Sequence, residues 1–134
     1  MSNIAKAFAN GKAFIPFVTC GDPDLETTAK VVRAMAEAGA VWVPTVSTIG
    51  NLLGRGRFPD DQVEQILESA LENVACFARL GGLVAAGSDA GAWSVPHGLG
   101  GETEEAWLAK ALGDRAQPLL EEANREIFRR FCRQ

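Results

Sequence analysis

Two hydrophobic rhythms alternate along this chain. Short apolar runs of strand length give way to stretches in which apolar residues recur three and four positions apart, as on one face of a helix. The runs are "AFIPFVT" (13–19), "VWVPTVS" (41–47) and "LVAAGSD" (83–89). Residues 2–10, with Ser2 as cap, predict a short opening helix. After the first run "GDPD" turns the chain. Asp24 can cap a helix to about residue 38, with Leu25, Ala29, Val32, Met35 and Ala36 on one face and Gly39 as its stop. The clearest helix covers about 60–80. Val63, Ile66, Leu67, Ala70, Leu71, Val74 and Phe77 form its stripe, Asp61 and Glu64 have capping-box spacing, and Gly81 follows. Two more helices are expected, at about 103–112 and 116–131. The last turns Leu120, Ala123, Ile127 and Phe131 inward and carries Arg129, Arg130 and Arg133 near its negative dipole end.

Strands alternating with amphipathic helices imply an α/β fold: a three-stranded parallel sheet flanked by helices, in one domain over 1–134. Three strands cannot close a barrel, so two sheet edges stay open. Pro16 and Pro44 sit inside the first two runs, and proline is tolerated mainly on edge strands. The third run has no proline, which favours the spatial order second–third–first. The right-handed crossover rule then puts the two crossover helices on opposite faces. The rival order, first–second–third, puts both on one face. Open edges and apolar content predict a homodimer in either case.

Composition narrows the function classes. At 47% hydrophobic and 22% charged, the chain has the make-up of a soluble globular protein. A net charge of −4 and a pI near 5.0 argue against nonspecific nucleic-acid binding. The charge is uneven. Residues 1–40 carry four Lys/Arg and four Asp/Glu, leaving nine and thirteen for residues 41–134. No apolar run reaches the roughly 20 residues of a membrane span, and "MSNIAKAFANGK" lacks the apolar core of a signal peptide. Cys20, Cys76 and Cys132 are single and far apart, which reads as reduced thiols of a cytoplasmic protein, packed in the interior.

Two family resemblances meet at one seam. "NGKAFIPFVTCGDPDLETTAKVVRAMAEAGA", with its specific "PFVTxGDP" string, resembles the first βα unit of the tryptophan synthase alpha subunit over about residues 1–40. That family is a (βα)8 barrel that cleaves indole-3-glycerol phosphate. The resemblance implies that Phe17 lines a pocket for the indole ring. The family's next strand carries a catalytic glutamate in an "ELGIPFSDP"-like motif. Here that strand is "VWVPTVS", with no acid, and the catalytic aspartate downstream is also missing. From about residue 41, "VWVPTVSTIGNLL", a helix and "LVAAGSDAGA" resemble the seventh and eighth βα units of a metal-dependent amidohydrolase. In that superfamily the aspartate ending the eighth strand binds metal and activates water, and Asp89 matches it. The HxH pair, the carboxylated lysine and the two further histidines have no counterpart. The seam near 40–41 falls where a helix ends and a strand begins, so each semi-independent unit keeps its local propensities.

The residues offer few chemical candidates. A hydrolytic zinc needs about three protein ligands and an open position. Asp89 and His97 supply two, so Asp89 reads either as a metal ligand or as a leftover carboxylate, and His97 as a ligand or a solvated loop residue. "GNLLGRGR" offers glycines and two arginines to an anion, but its spacing is neither a Walker pattern nor GxGxxG. "GLGGE" opens a helix, and Glu102, Glu104 and Glu105 suit that helix's positive end. Trp42, Trp93 and Trp107 read as packing residues before a ligand cage. The sequence therefore predicts no cofactor, no membrane or nucleic-acid partner, and no evolved function: an engineered or shuffled chimera selected for folding. The alternatives are a remnant metal-dependent hydrolase at Asp89 and a self-associating interaction module. Cleavage of indole-3-glycerol phosphate is not expected, because both acids it needs lie beyond the seam.

Overall fold

A computed structural model describes residues 23–131. The predicted helix 2–10, the strand 13–19 with Pro16 and Phe17, and Cys20, Cys132 and Arg133 lie outside the described residues. Helix α1 runs Leu25–Glu37, strand β1 Val41–Trp42 and the one-turn helix α2 Ser47–Gly50. Helix α3 follows at Asp60–Arg79, strand β2 at Leu83–Val84, and helix α4 at Gly100–Leu112. A 3₁₀ turn, Gly113–Arg115, leads into helix α5, Ala116–Phe131. The described chain is mixed α/β, mostly helical, with a small open sheet of two parallel strands.

Asp24 caps α1 as the sequence predicts. Its carboxylate accepts hydrogen bonds from the Thr27 N–H at 2.6 Å and the Thr27 hydroxyl at 3.1 Å. These two bonds hold the Asp24 carboxyl below its usual range, the backbone one most. The helix ends at Ala38, and Gly39 takes the left-handed conformation (φ 73°) that lets the chain reverse into β1. Of the predicted α1 face, Ala36 is buried while Leu25 stays 71% exposed.

Both strands are shorter than their apolar runs. Val41 pairs with Leu83 and Trp42 with Val84, and the Ala85 N–H adds one bond to the Trp42 carbonyl. Pro44, which has no N–H, ends β1. Thr45 turns left-handed (φ 51°) and the chain winds into α2. After β2, Asp89 also turns left-handed (φ 52°). Pairing of the second and third predicted strands is common to both predicted orders, and the strand that tells them apart lies outside the described residues.

Helix α3 supplies the centre of the core. Val63, Leu67, Val74, Phe77 and Ala78 are buried, and the Trp42 ring meets Phe77 edge-on at 5.3 Å between centroids. Ala36, Val46, Val84, Leu108 and Leu120 complete the cluster, and β2 packs against both α3 and α5. Three expectations are corrected here. Ile66, predicted inward, is 56% exposed, because Val63, Leu67 and Val74 already fill the stripe that meets the sheet. Asp61 forms no capping box: the cap of α3 falls two residues earlier, at Pro59, with no side-chain cap bond. Cys76, expected in the interior, is an exposed free thiol.

The last two helices are present, with α4 starting three residues early at Gly100. Leu120 and Ala123 of α5 are buried. Arg130 donates to the Gly39 carbonyl at 2.8 Å, tying the end of α5 to the turn before β1. No described helix is long and apolar enough to cross a membrane.

Candidate functional site at the C-terminal ends of the strands

The loops that leave β1 and β2 gather at one end of the sheet, where parallel strands deliver their C-termini. Residues 43–59 come from the first and 85–99 from the second, and α4 rises from beneath them. Thr45, Asp89 and Ser94, the described non-glycine residues with positive φ, all lie on these loops. For β-branched Thr45 that conformation is costly.

At the centre stands Glu104 of α4, fully buried. Its carboxylate accepts hydrogen bonds from the Val46 N–H at 2.9 Å and the Ser47 N–H at 2.6 Å. These are the first amides of α2, a helix with no side-chain cap of its own. Amides at a helix start have no intrahelical acceptor and a positive dipole, so a carboxylate from a distant helix fills the role of a cap. The Ser47 hydroxyl, also fully buried, reaches the Ser88 carbonyl at 3.3 Å, and the Asn51 amide donates to the Ser94 carbonyl at 2.9 Å. These contacts sew the two loops together. Among the described residues, no buried side-chain polar atom lacks a partner.

Glu104 was expected to serve its own helix's positive end, beside Glu102 and Glu105. It sits one turn too deep for that and turns inward to α2. A carboxylate that crosses between elements leaves no local sequence signal; only its place on the same helix face, one turn before half-buried Trp107 and buried Leu108, points inward.

Asp89 and His97 both lie on the loop that follows β2. Both are exposed, and neither side chain makes a hydrogen bond or ion pair with the described residues. His97 lays its ring against the Gly91 backbone, with Nε2 3.4 Å from where a β-carbon would stand. Among the described residues no three His, Cys, Asp or Glu side chains are grouped closely enough to hold a metal ion. Phe17 lies outside the described residues.

The three tryptophans separate. Trp42 packs in the core, and Trp107 lies under Gly50 of α2 with the Lys110 ammonium 3.8 Å from its ring centre. Trp93 is half exposed on the loop after β2, where Arg57 stacks on it.

At the opposite end of the sheet, an open cleft of about 410 Å³ is lined by Gly39, Gly81, Leu83, Glu122, Arg125 and Glu126, among others. Glu126 pairs there with Arg129 and Arg130. Hydrogen bonds from those guanidinium groups, Arg129 first, bring the Glu126 carboxyl down to about 2.

No family model matches the chain, and no solved structure matches it. Parts of it are similar to tryptophan synthase alpha chains. The alpha chain of Lacticaseibacillus casei is 55% identical over 40 residues, 30% of this chain and 15% of that one. The alpha chain of Methanothermobacter thermautotrophicus is 53% identical over 32 residues, 24% of this chain and 12% of that one. That of Rippkaea orientalis is 64% identical over 28 residues, 21% and 10%. The likeness to tryptophan synthase alpha chains is strong but local, and this chain spans only about 15% of the first relative's length.

Proposed function

We propose that this chain has no evolved activity and is an engineered or shuffled chimera of (βα)8-barrel units, selected to fold. Residues up to about 40 take the place of a tryptophan-synthase-alpha-like first unit. Residues from about 41 onward take the place of the last two units of a metal-dependent amidohydrolase. The extent of the local likeness, at most 45 residues in the first relatives, fits a first unit alone. The absence of an activity rests on one observation. At the end of the sheet where barrel enzymes place chemistry, the buried carboxylate is committed to the amides of Val46 and Ser47, while Asp89 and His97 are exposed and belong to no cluster of three metal-ligating side chains among the described residues. Incubation with indole-3-glycerol phosphate should give no cleavage. Turnover that survives repeated purification would overturn the reading.

The second reading, a remnant hydrolase with weak metal-dependent activity at Asp89, is favoured by the sharing of one loop by Asp89 and His97. Dialysis against zinc or manganese followed by metal analysis separates the two, because real sites fill stoichiometrically. Less than about 0.1 metal per chain excludes the remnant site.

Self-association as a homodimer belongs to the same proposal. Leu25, Ile66, Leu80 and Phe128 are each more than half exposed, which is much apolar surface for a domain of this size. Light scattering at tens of micromolar should give twice the chain mass; a monodisperse monomer would exclude the dimer.

A further inference from the structure

The loop "GRGRF" after α2 carries an arrangement that the folding role of the chain does not use. The Arg57 guanidinium lies 5.5 Å from the Phe58 ring centre and 5.1 Å from that of Trp93, a residue 36 positions away on the other loop. Both rings are about half exposed, Phe58 at 47% and Trp93 at 48%. Arg57 has no carboxylate partner among the described residues. Two hydrogen bonds fix the geometry from outside the trio. The Asn51 side-chain amide holds the Ser94 carbonyl at 2.9 Å, beside Trp93, and the Gly54 N–H meets the Asp60 carboxylate at 2.9 Å, closing the base of the loop. A guanidinium flanked by aromatic faces loses little further freedom when its planar fork engages an oxyanion.

We infer that Arg57, Phe58 and Trp93 form a binding site for a small planar aromatic carboxylate. The carboxylate takes the Arg57 fork through two parallel N–H···O bonds, and the ring lies against the exposed part of the Trp93 indole beside the guanidinium. Charge selects a carboxylate over a phosphate. Exposed Arg55 and Arg57 are balanced by exposed Asp60 and Asp61, which begin α3 directly after the loop, and the whole chain carries −4, so a dianion meets no net positive charge while a monoanion needs only the one held fork of Arg57. The inference stands whatever the origin of the chain, since it uses only the geometry of these two loops.

The test is an NMR titration of the full chain with benzoate, followed at the three tryptophan indole N–H signals, with Trp93 assigned by a Trp93→Phe variant. The Trp93 signal should move and saturate at about millimolar benzoate, the range that one ion pair and one stacked ring support. Trp42 and Trp107 should stay still, and they also report that each variant is folded. Cyclohexanecarboxylate, which has no flat ring, and benzamide, which has no charge, should each bind at least about tenfold more weakly, as should inorganic phosphate. Arg57→Gln should abolish the saturable shift with the Trp42 and Trp107 signals unchanged. Lack of saturation up to tens of millimolar benzoate would overturn the inference. So would equal binding of benzamide or of phosphate, or a benzoate response unchanged in Arg57→Gln.

Discussion

The two ends of the small sheet handle carboxylates in opposite ways. At the C-terminal end Glu104 is fully buried and bonded to two backbone amides 57 and 58 positions away. At the N-terminal end Glu126 is paired with two arginines three and four positions along its own helix, one of them 59% exposed. Both carboxylates are well satisfied by geometry. Their weight in the fold differs because water is absent from one and present at the other. A buried acceptor that disappears strands its donors, whereas a surface ion pair that disappears is replaced by hydration and salt. The contrast shows which charged groups determine the fold and which merely decorate it.

Removing Glu104 gives the largest effect. Glu104→Ala leaves the buried Val46 and Ser47 amides without acceptors, at about 1–3 kcal/mol each. A loss of about 3 kcal/mol is expected in urea unfolding, a large share of the roughly 5–15 kcal/mol that holds a typical domain. Glu104→Gln separates charge from shape. One amide oxygen still accepts, while the new NH₂ group opposes a backbone N–H, so about half the loss should remain. A midpoint unchanged in both variants would erase the contrast between the two ends.

The sequence made one end far more legible than the other. Asp24 and Gly39 follow local rules of capping, and they appear in the structure where those rules put them, while the α1 face is buried only at its C-terminal end, at Ala36. On α3, four of the five buried residues, Val63, Leu67, Val74 and Phe77, lie on the predicted stripe, while Ile66 of that stripe is exposed. What stayed hidden depends on distant residues. Glu104 resembled a first-turn acid of its own helix, and nothing near it in sequence names α2 as its partner. The strands were overread because an apolar run signals burial without signalling ladder pairing; Pro44 and the left-handed turns at Thr45 and Asp89 end the pairing after two residues. Of the candidate site residues, Asp89 and His97 share one loop and both are exposed. That they stand in solvent follows from the packing of loops 43–59 and 85–99, which no single segment encodes.

A smaller effect tests the packing under the same capped turn. A β-carbon on Gly50 would overlap the Trp107 indole. Gly50 has ordinary helical backbone, so Gly50→Ala adds steric crowding without conformational strain. Overpacking of this kind costs about 1–3 kcal/mol. In a Trp107→Leu background the same alanine should cost much less, and the difference between the two costs is the Gly50–Trp107 coupling. Equal costs in both backgrounds would show that the turn tolerates crowding, and that Glu104 alone fixes it.

The smallest effect lies at the other end and appears only in acid. The folded-state pKa of Glu126 is about 2, against an ordinary value of 4.5, because Arg129 and Arg130 donate to its charged form. A carboxyl with a lowered folded pKa adds stability above its unfolded pKa and loses it as the pH falls through the folded value. The Glu126 contribution should therefore be whole above about pH 5, decline below 4.5, and vanish near 2. Asp24 acts in the same direction, so Glu126 must be isolated by difference. Glu126→Gln should lie slightly below the parent in urea midpoint at neutral pH, and the two should converge between pH 4.5 and 2. Raising the salt at neutral pH should narrow the same gap, because the pair is open to solvent on the Arg129 side. A gap that persisted at pH 2, or that ignored salt, would mean Glu126 acts through its packing in the cleft beside the Gly39 turn, making the two ends of the sheet more alike than their exposure suggests.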